Sequence, residues 1–467
     1  SACLVGSEMC IRDSLYGRPL LHPLRNGLSR PARGDDRRQR LAYVGGGCKA
    51  GIACRATPRP PGLTPFFRHG PLKRFQGEQL SGHHAPLMAS MRFALVCPPY
   101  ASHIAAFEAI GESLLARGHD VAIMAHGGVE PDLTLEGASF LALPGHRADL
   151  ETLWNDAGGR NGAVRLWKIL QSGARATADI ARHAPALLRR EGIEALLVDE
   201  MEPGGGLVAR SLGLPFLSVA CSLPVEGDPA LPPPYIGWPY DPSRQGLKRN
   251  RGGRRVADLV LAPQRLAIRR AAAQLGVQGA ERLEDCLSPL ATLSQTSAEF
   301  DFPRADDTRV RPLGPFRRVR PVSLFAPRER RPLVYASFGT MQGHRLDLFR
   351  PVAAACKTLG LRLVVAHCGG LDAAQAASID AEIVTDYVDQ RAMLRQATIC
   401  VTHGGLNTAL DAIEAGVPML VLPMAFDQPG VAARVVHHGI GLALPPRKAN
   451  RQRVEAALLQ LLSLIHI

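Results

Sequence analysis

The chain has 467 residues, enough for two or three domains, and its 46% hydrophobic content supports large packed cores. Its formal charge of +13 is unevenly placed: residues 1–90 hold 14 Lys and Arg against 5 Asp and Glu, and the remainder 41 against 37. Aromatics make up only 5% and no cationic groove pattern is interleaved with them, so the charge does not describe a nucleic-acid binder.

Residues 1–90 are rich in Arg, Gly and Pro and lack apolar periodicity, which predicts no folded domain. The opening SACLVGSEMCIRDS and the closing LSLIHI read as translated adapter or vector sequence, so 1–90 is expected to be a non-native or disordered leader and 463–467 a non-native tail, with the natural start at Met91. A targeting peptide is the rival reading, but no continuous apolar core follows a basic start and Asp35-Asp36 interrupts the Arg run. Cys97, Cys221, Cys286, Cys356, Cys368 and Cys400 follow without metal-ligand or redox spacing and read as buried thiols of a cytoplasmic protein. No apolar run reaches the roughly 18 to 20 residues of a membrane-spanning helix.

From Met91 the pattern alternates. FALVCPP predicts a strand, 102–117 a helix with apolar residues at 104, 107, 110, 114 and 115, and VAIMAH the next strand. FLALPG, a helix over 164–190, EALLVDE, a helix near 206–212 and PFLSVAC continue the series, a doubly wound parallel sheet. A Pro-rich loop over 223–242 and one basic helical stretch over 245–275 follow. A second alternation starts with PLVYASFG: a helix over 345–359, LRLVVAHCG, EIVTDYV, a helix over 391–396, ICVT, a helix over 406–415, MLVLPM, and helices over 430–438 and 451–462. The domains expected are 91–310 and 332–462, with the Pro- and Arg-rich 311–331 as linker.

The segment from Thr402 to Gly430, THGGLNTALDAIEAGVPMLVLPMAFDQPG, carries the clearest chemistry. His403-Gly404-Gly405 reads as a tight strand-to-helix turn that aims helix N–H groups, with the positive end of the helix dipole, beyond the sheet edge. Gly404 and Gly405 let a phosphate approach the backbone, Asn407 and Thr408 add polar side chains in the first turn, Asp411 lies one turn on, and Asp427-Gln428 follows the next strand at the same edge. A diphosphate, a ribose and a sugar need donors and acceptors in that order; glycines alone would mark only an ordinary capped turn. Ser337-Phe338-Gly339-Thr340 closes another strand and offers N–H and hydroxyl groups to phosphate oxygens, or is a plain connecting loop. His103 stands at a helix start after the first strand, where the dipole is expected to depress its pKa and keep it a neutral base; a cap or surface residue would stand there equally well. Asp199 ends a strand at the same edge and would orient that imidazole, with Glu200 and Glu202 as rivals for the role.

The segment 402–430 resembles the nucleotide-diphosphate-sugar signature of the inverting UDP-sugar-dependent glycosyltransferases. Within that group CPPYASHIAAFEAI, VDEMEPGGGLVARSLGLPFLSVACSLP, CLSPLATLSQTSAEFDFPR, ASFGTMQGHRLDLFR, AHCGGL and AFDQPGVAARVVHHGIG are similar to the bacterial zeaxanthin-glucosylating branch. The resemblance implies an α/β GT-B architecture, two Rossmann-like doubly wound domains facing across a cleft. It implies His103 as catalytic base and Asp199 as its orienting partner. Tyr387, Val388 and Gln390 fall where many relatives begin the signature with Trp-x-x-Gln, so Tyr387 would stack on uracil, and Asp411 stands where many carry a ribose-binding Glu. His403 would touch phosphate through a ring N–H, Ser337, Gly339 and Thr340 would complete the diphosphate clamp, and Asp427 and Gln428 would read the sugar.

The donor implied is UDP-glucose, with no cofactor and no metal, and the acceptor a lipophilic hydroxylated carotenoid such as zeaxanthin. The rivals are another apolar acceptor (macrolide, sterol or glycolipid) or a nucleotide-sugar-binding protein without turnover. The last has a motive, because relatives continue past the final helix and the chain is expected to be truncated there. The basic region 248–270 reads as a contact for anionic lipid headgroups, which would make the protein peripheral on the membrane, or as a solvated charged face.

Overall fold

The computed structural model describes residues 90–126, 133–144, 162–318 and 331–465. The expected leader, apart from Ser90, the linker over 319–330 and the last two residues of the expected tail lie outside that range.

The first half comprises β1 (Arg92–Val96), α1 (Ala101–Leu115), β2 (Asp120–His126), β3 (Ser139–Leu143), α2 (Gly162–Arg190), β4 (Ala195–Asp199), α3 (Pro203–Leu212), β5 (Phe216–Ala220), α4 (Arg244–Val260), α5 (Ala262–Leu275), β6 (Thr292–Ser294) and β7 (Val310–Pro312). The second comprises β8 (Leu333–Ser337), α6 (Gly339–Gln342), α7 (Leu346–Thr358), β9 (Arg362–Ala366), α8 (Ala373–Ala377), β10 (Ile383–Thr385), α9 (Gln390–Leu394), β11 (Ile399–Thr402), α10 (Leu406–Glu414), β12 (Met419–Val421), α11 (Gln428–His437), β13 (Gly441–Ala443) and α12 (Arg451–Ile465). The sheets run β3-β2-β1-β4-β5-β6-β7 and β10-β9-β8-β11-β12-β13, with every pairing parallel. Helices cover both faces, so the central strands bury both rows of side chains; LVYAS of β8 and ICVT of β11 are buried throughout. The apolar runs read from the sequence are these strands.

Several details differ from the sequence reading, among them the short α6, α8 and β13, which it did not contain. The basic stretch over 245–275 is two helices, because Pro263 in the first turn of α5 donates no N–H to an α4 continuation and starts a new helix after Leu261. Thr292–Ser294 and Val310–Pro312 extend the first sheet by two strands whose three-residue lengths leave no alternation to detect. The second of them puts the start of the expected linker into the first sheet.

The halves meet through α11. A Cβ on Gly430 would collide with the carbonyl oxygen of Pro234, so the helix start lies directly on the Pro-rich loop of the first half. Arg434, one turn on and 2% exposed, is held by Asp301 at 2.6 and 2.7 Å, with its guanidinium 4.3 Å over the Phe302 ring. Arg304 takes the other carboxylate oxygen at 2.7 Å. Attraction by the two cations outweighs burial and holds Asp301 below the usual carboxylate range.

Removing Arg434 takes from the buried Asp301 one of its two cations and leaves it to Arg304 alone. Arg434→Ala is expected to destabilise the protein by about 3–5 kcal/mol in urea unfolding, whereas Arg451→Ala, whose pair with Glu455 is solvated, should cost under about 1 kcal/mol.

Candidate active site

Both sheets reverse their strand order at one place, between β1 and β4 in the first and between β8 and β11 in the second. Connections from neighbouring strands diverge there to opposite faces and leave a crevice beyond the strand ends. His103 lies on α1 just after β1, and Asp199 is the last residue of β4. The reversal brings them together across 96 residues of sequence: His103 Nδ1 lies 2.7 Å from Asp199 Oδ2. Asp199 Oδ1 accepts the Met201 N–H at 2.8 Å, which fixes the carboxylate plane. Of the rival carboxylates, Glu200 turns away to accept the Val225 N–H at 3.1 Å, and burial raises it to about 8, so it is largely protonated at neutral pH.

The imidazole departs from expectation in one respect. Burial does lower its pKa, but attraction to Asp199 and the hydrogen bond to it, with Asp427 and Glu202 adding to the field, outweigh burial, and the net shift is upward. The helix-start argument gave the wrong sign because it omitted a carboxylate in direct contact. With Nδ1 held by Asp199, the proton that Nε2 gains in a reaction is stabilised by a buried negative charge.

The second reversal builds the other wall. Ser337 ends β8, and its hydroxyl accepts the Gly339 N–H at 3.4 Å. Gly339 has a positive φ of 70°, and a Cβ there would strike the His403 ring. Gly404, at φ 87°, turns the chain from β11 into α10, whose N-cap is Gly405 and whose first turn has no side-chain cap. Burial drives His403 down to about 4, so the ring is neutral, and its bond to the Ser337 backbone joins the two turns. Thr340 is exposed beside them.

Gln390 Nε2 donates to Asp411 Oδ2 at 2.6 Å and its Oε1 accepts the Thr408 hydroxyl at 3.2 Å, so Gln390 and Thr408 brace the carboxylate. Tyr387, 66% exposed, presents an open ring, while Val388 packs into the core beneath α10. Asp427 accepts the Leu223 N–H of the first half at 3.2 Å, and its charge contributes to the upward shift of His103. Gln428 is buried with Oε1 committed to the Met424 and Ala425 N–H groups, both at 2.9 Å; it shapes the turn that carries Asp427, so that oxygen is spent on the loop rather than offered to a sugar. Phe426, between them, has a left-handed backbone at φ 53°, strain that this turn sustains.

Two contributors escaped the sequence reading. Arg317, in the expected linker, reaches Asp411 Oδ1 at 2.8 Å and the backbone oxygen of Asn407 at 3.1 Å. Gln295, after β6, donates to Asn407 Oδ1 at 2.9 Å. Burial leaves Asp411 raised, but Arg317 and Gln390 pull it back. No spacing rule announces these contacts; Arg317 was one of several arginines in a Pro- and Arg-rich stretch. Among the described residues, one trio offers metal-ligating atoms within 4.8 Å of one another: His103, Asp199 and Cys221. A metal there would compete for the imidazole nitrogen that Asp199 already holds.

The C-terminal-domain family of the erythromycin biosynthesis protein CIII-like proteins matches residues 363–464. A zeaxanthin glucosyltransferase of Pseudescherichia vulneris is 39% identical over 376 residues, covering 79% of this chain and 90% of that protein. One from Pantoea ananas is 36% identical, covering 75% and 83%. Among solved structures, a glycosyltransferase of kitacinnamycin superposes with a TM-score of 0.64 at 21% identity, over 80% of this chain and 91% of that one, a likeness of fold.

A direct titration tests the His103 environment. Its NMR midpoint is expected above the ordinary imidazole value, so the basic form gains population only as pH rises through that higher midpoint. Asp199→Asn, which removes the main attraction and leaves burial, should lower the proton affinity of His103 about tenfold or more.

Proposed function

The chain belongs to the zeaxanthin glucosyltransferase family of GT-B glycosyltransferases, and on that premise we propose that it transfers glucose from UDP-glucose to a terminal ring hydroxyl of zeaxanthin, with a second transfer at the other ring. The observation that carries this reading is the meeting of the first reversal point with the turn between β12 and α11: the His103–Asp199 pair of one half and Asp427 of the other lie close enough for Asp427 to shift the imidazole. A sugar read by Asp427 is then within reach of a hydroxyl activated by His103.

The chemistry is a single in-line displacement with inversion. His103 Nε2 takes the acceptor proton while the hydroxyl oxygen forms its bond to the anomeric carbon, the bond from that carbon to the diphosphate oxygen breaks, and UDP leaves. Asp199 holds the ring and stabilises the imidazolium. Charge accumulating on the diphosphate meets the uncapped N–H groups of α10 and the Ser337–Thr340 turn, which stabilise it without a metal. Asp411, aimed by Arg317 and Gln390, accepts the ribose hydroxyls, and the open Tyr387 ring stacks on uracil.

A cavity in the first half suits the acceptor. Leu170, Met201, Val225, Leu231 and Ile268 give it apolar walls, and Tyr100, which also lines it, stands edge-on to His103 at 5.5 Å. Glu226, Arg254, Glu284 and Arg304 also line it, so an apolar ring bearing a hydroxyl would meet apolar walls together with polar partners.

Incubation with UDP-glucose and zeaxanthin in micelles should yield mono- and diglucosides by chromatography and mass spectrometry, insensitive to EDTA. Glucosylation of a sterol, macrolide or glycolipid in place of zeaxanthin would overturn the acceptor, and UDP binding without transfer to any of them would overturn the enzyme reading for this chain. His103→Ala should cut transfer by about a thousandfold with UDP affinity nearly unchanged, whereas Asn407→Ala, Asp411→Ala and Arg317→Ala should each weaken UDP binding about tenfold.

A further inference from the structure

The basic stretch that the sequence left between two readings has an organised surface. Arg244, Lys248, Arg251 and Arg255 follow one another at steps of four, three and four along α4, so they form one stripe, and Leu259 extends it by one more turn. All are exposed, Leu259 by 77%, with Val256 and Val260 beside it. On α5, Leu266, Arg269 and Arg270 are exposed in turn. Among the described residues none of these six cations is paired with a carboxylate, while Asp258, between them in sequence, is already paired with Arg282 at 3.1 Å. Arg244, Lys248 and Arg251 also line one shallow groove with Gln245 and Leu247.

The inner faces of the same turns form the acceptor cavity. Ala257 and Leu261 alternate with Val256, Leu259 and Val260, and Ile268 follows Leu266. On α2, Leu166 and the 52% exposed Trp167 stand one turn before the cavity residues Ile169 and Leu170. Leu259, Val256, Val260, Leu266, Leu166 and Trp167 together put a group of exposed large apolar side chains on the three helices that carry or adjoin the cationic stripe. Cations that attract phosphate, flanked by apolar side chains that enter the acyl boundary, describe a surface that lies on a bilayer. No helix among the described residues is long and apolar enough to cross one.

We propose that the outer faces of α4 and α5, with the first turns of α2, dock on an anionic phospholipid surface, so that an acceptor dissolved in the bilayer enters the cavity without crossing water. The assignment of the cavity to a lipophilic acceptor rests on the proposed function; the docking itself does not need it.

Flotation with acceptor-free vesicles separates the two. The protein should partition at least about tenfold more strongly into phosphatidylglycerol vesicles than into phosphatidylcholine vesicles. The triple variant Lys248→Glu/Arg251→Glu/Arg255→Glu should lose about two orders of magnitude of that binding, and Leu259→Asp alone about tenfold, both with wild-type UDP affinity and micellar activity. Lys448→Glu/Arg453→Glu, which alters net charge elsewhere, should float like wild type. Equal partition into both vesicles, undiminished flotation of the triple variant, or an equal loss in the control would overturn the docking surface, and none of these results bears on transfer in micelles.

Discussion

A parallel sheet that grows in both directions from its first strand must leave a gap where the direction changes, because the connecting helices depart to opposite faces. This chain imposes that constraint twice, and the active-site geometry depends on it. His103 and Asp199 are 96 residues apart yet share a hydrogen bond, since β1 and β4 are neighbours only by virtue of the reversal. Ser337 and His403 meet for the same reason at β8 and β11. Two crevices would do nothing separately; α11, seated on the Pro-rich loop of the first half and tied by Arg434 to Asp301, sets them against each other.

Electrostatics in the resulting cleft follows from how little water shares it. The three acidic side chains that matter, Asp199, Asp411 and Asp427, are each held by donors from elsewhere in the chain: Met201 N–H and His103, Arg317 and Gln390, and Leu223 N–H. Burial pushes Asp411 and Asp427 upward, and these donors act in the opposite direction. The two histidines shift in opposite directions from the same physics. His103 has a carboxylate in contact and its pKa rises; His403 has none and falls to about 4. The neutral His403 ring bridges the two glycine turns through its bond to the Ser337 backbone.

The strands and most helices were legible because apolar runs of five or more residues flanked by Pro and Gly leave few alternatives, and the turn after β11 was legible because its His, Asn, Thr and Asp fall at helical spacing. What escaped had other causes. β6 and β7 are too short to show a period, and the α4–α5 break was visible in Pro263 but masked by continuous basic composition. The sign of the His103 shift, the brace from Arg317 to Asp411 and the use of Gln428 Oε1 by its own loop all depend on contacts formed only when distant segments assemble. A local pattern places a side chain on an element; it does not say what arrives from the other half to meet it.

The Arg434–Asp301 pair also constrains how such a protein can be recombined. Exchanging whole donor halves between relatives is an obvious route to new sugar–acceptor combinations, and a crossover in the connection between the sheets would be the natural choice. Yet Asp301, Phe302 and Arg304 lie before that connection and Arg434 after it. A hybrid that brings in Arg434 without its acid carries a stranded charge at the seam, and one that keeps the acid without Arg434 leaves it to Arg304 alone. Compatible chimeras are therefore those in which the short segment around 300–304 travels with α11, which makes this small patch, more than the active site, the unit of inheritance for half exchange.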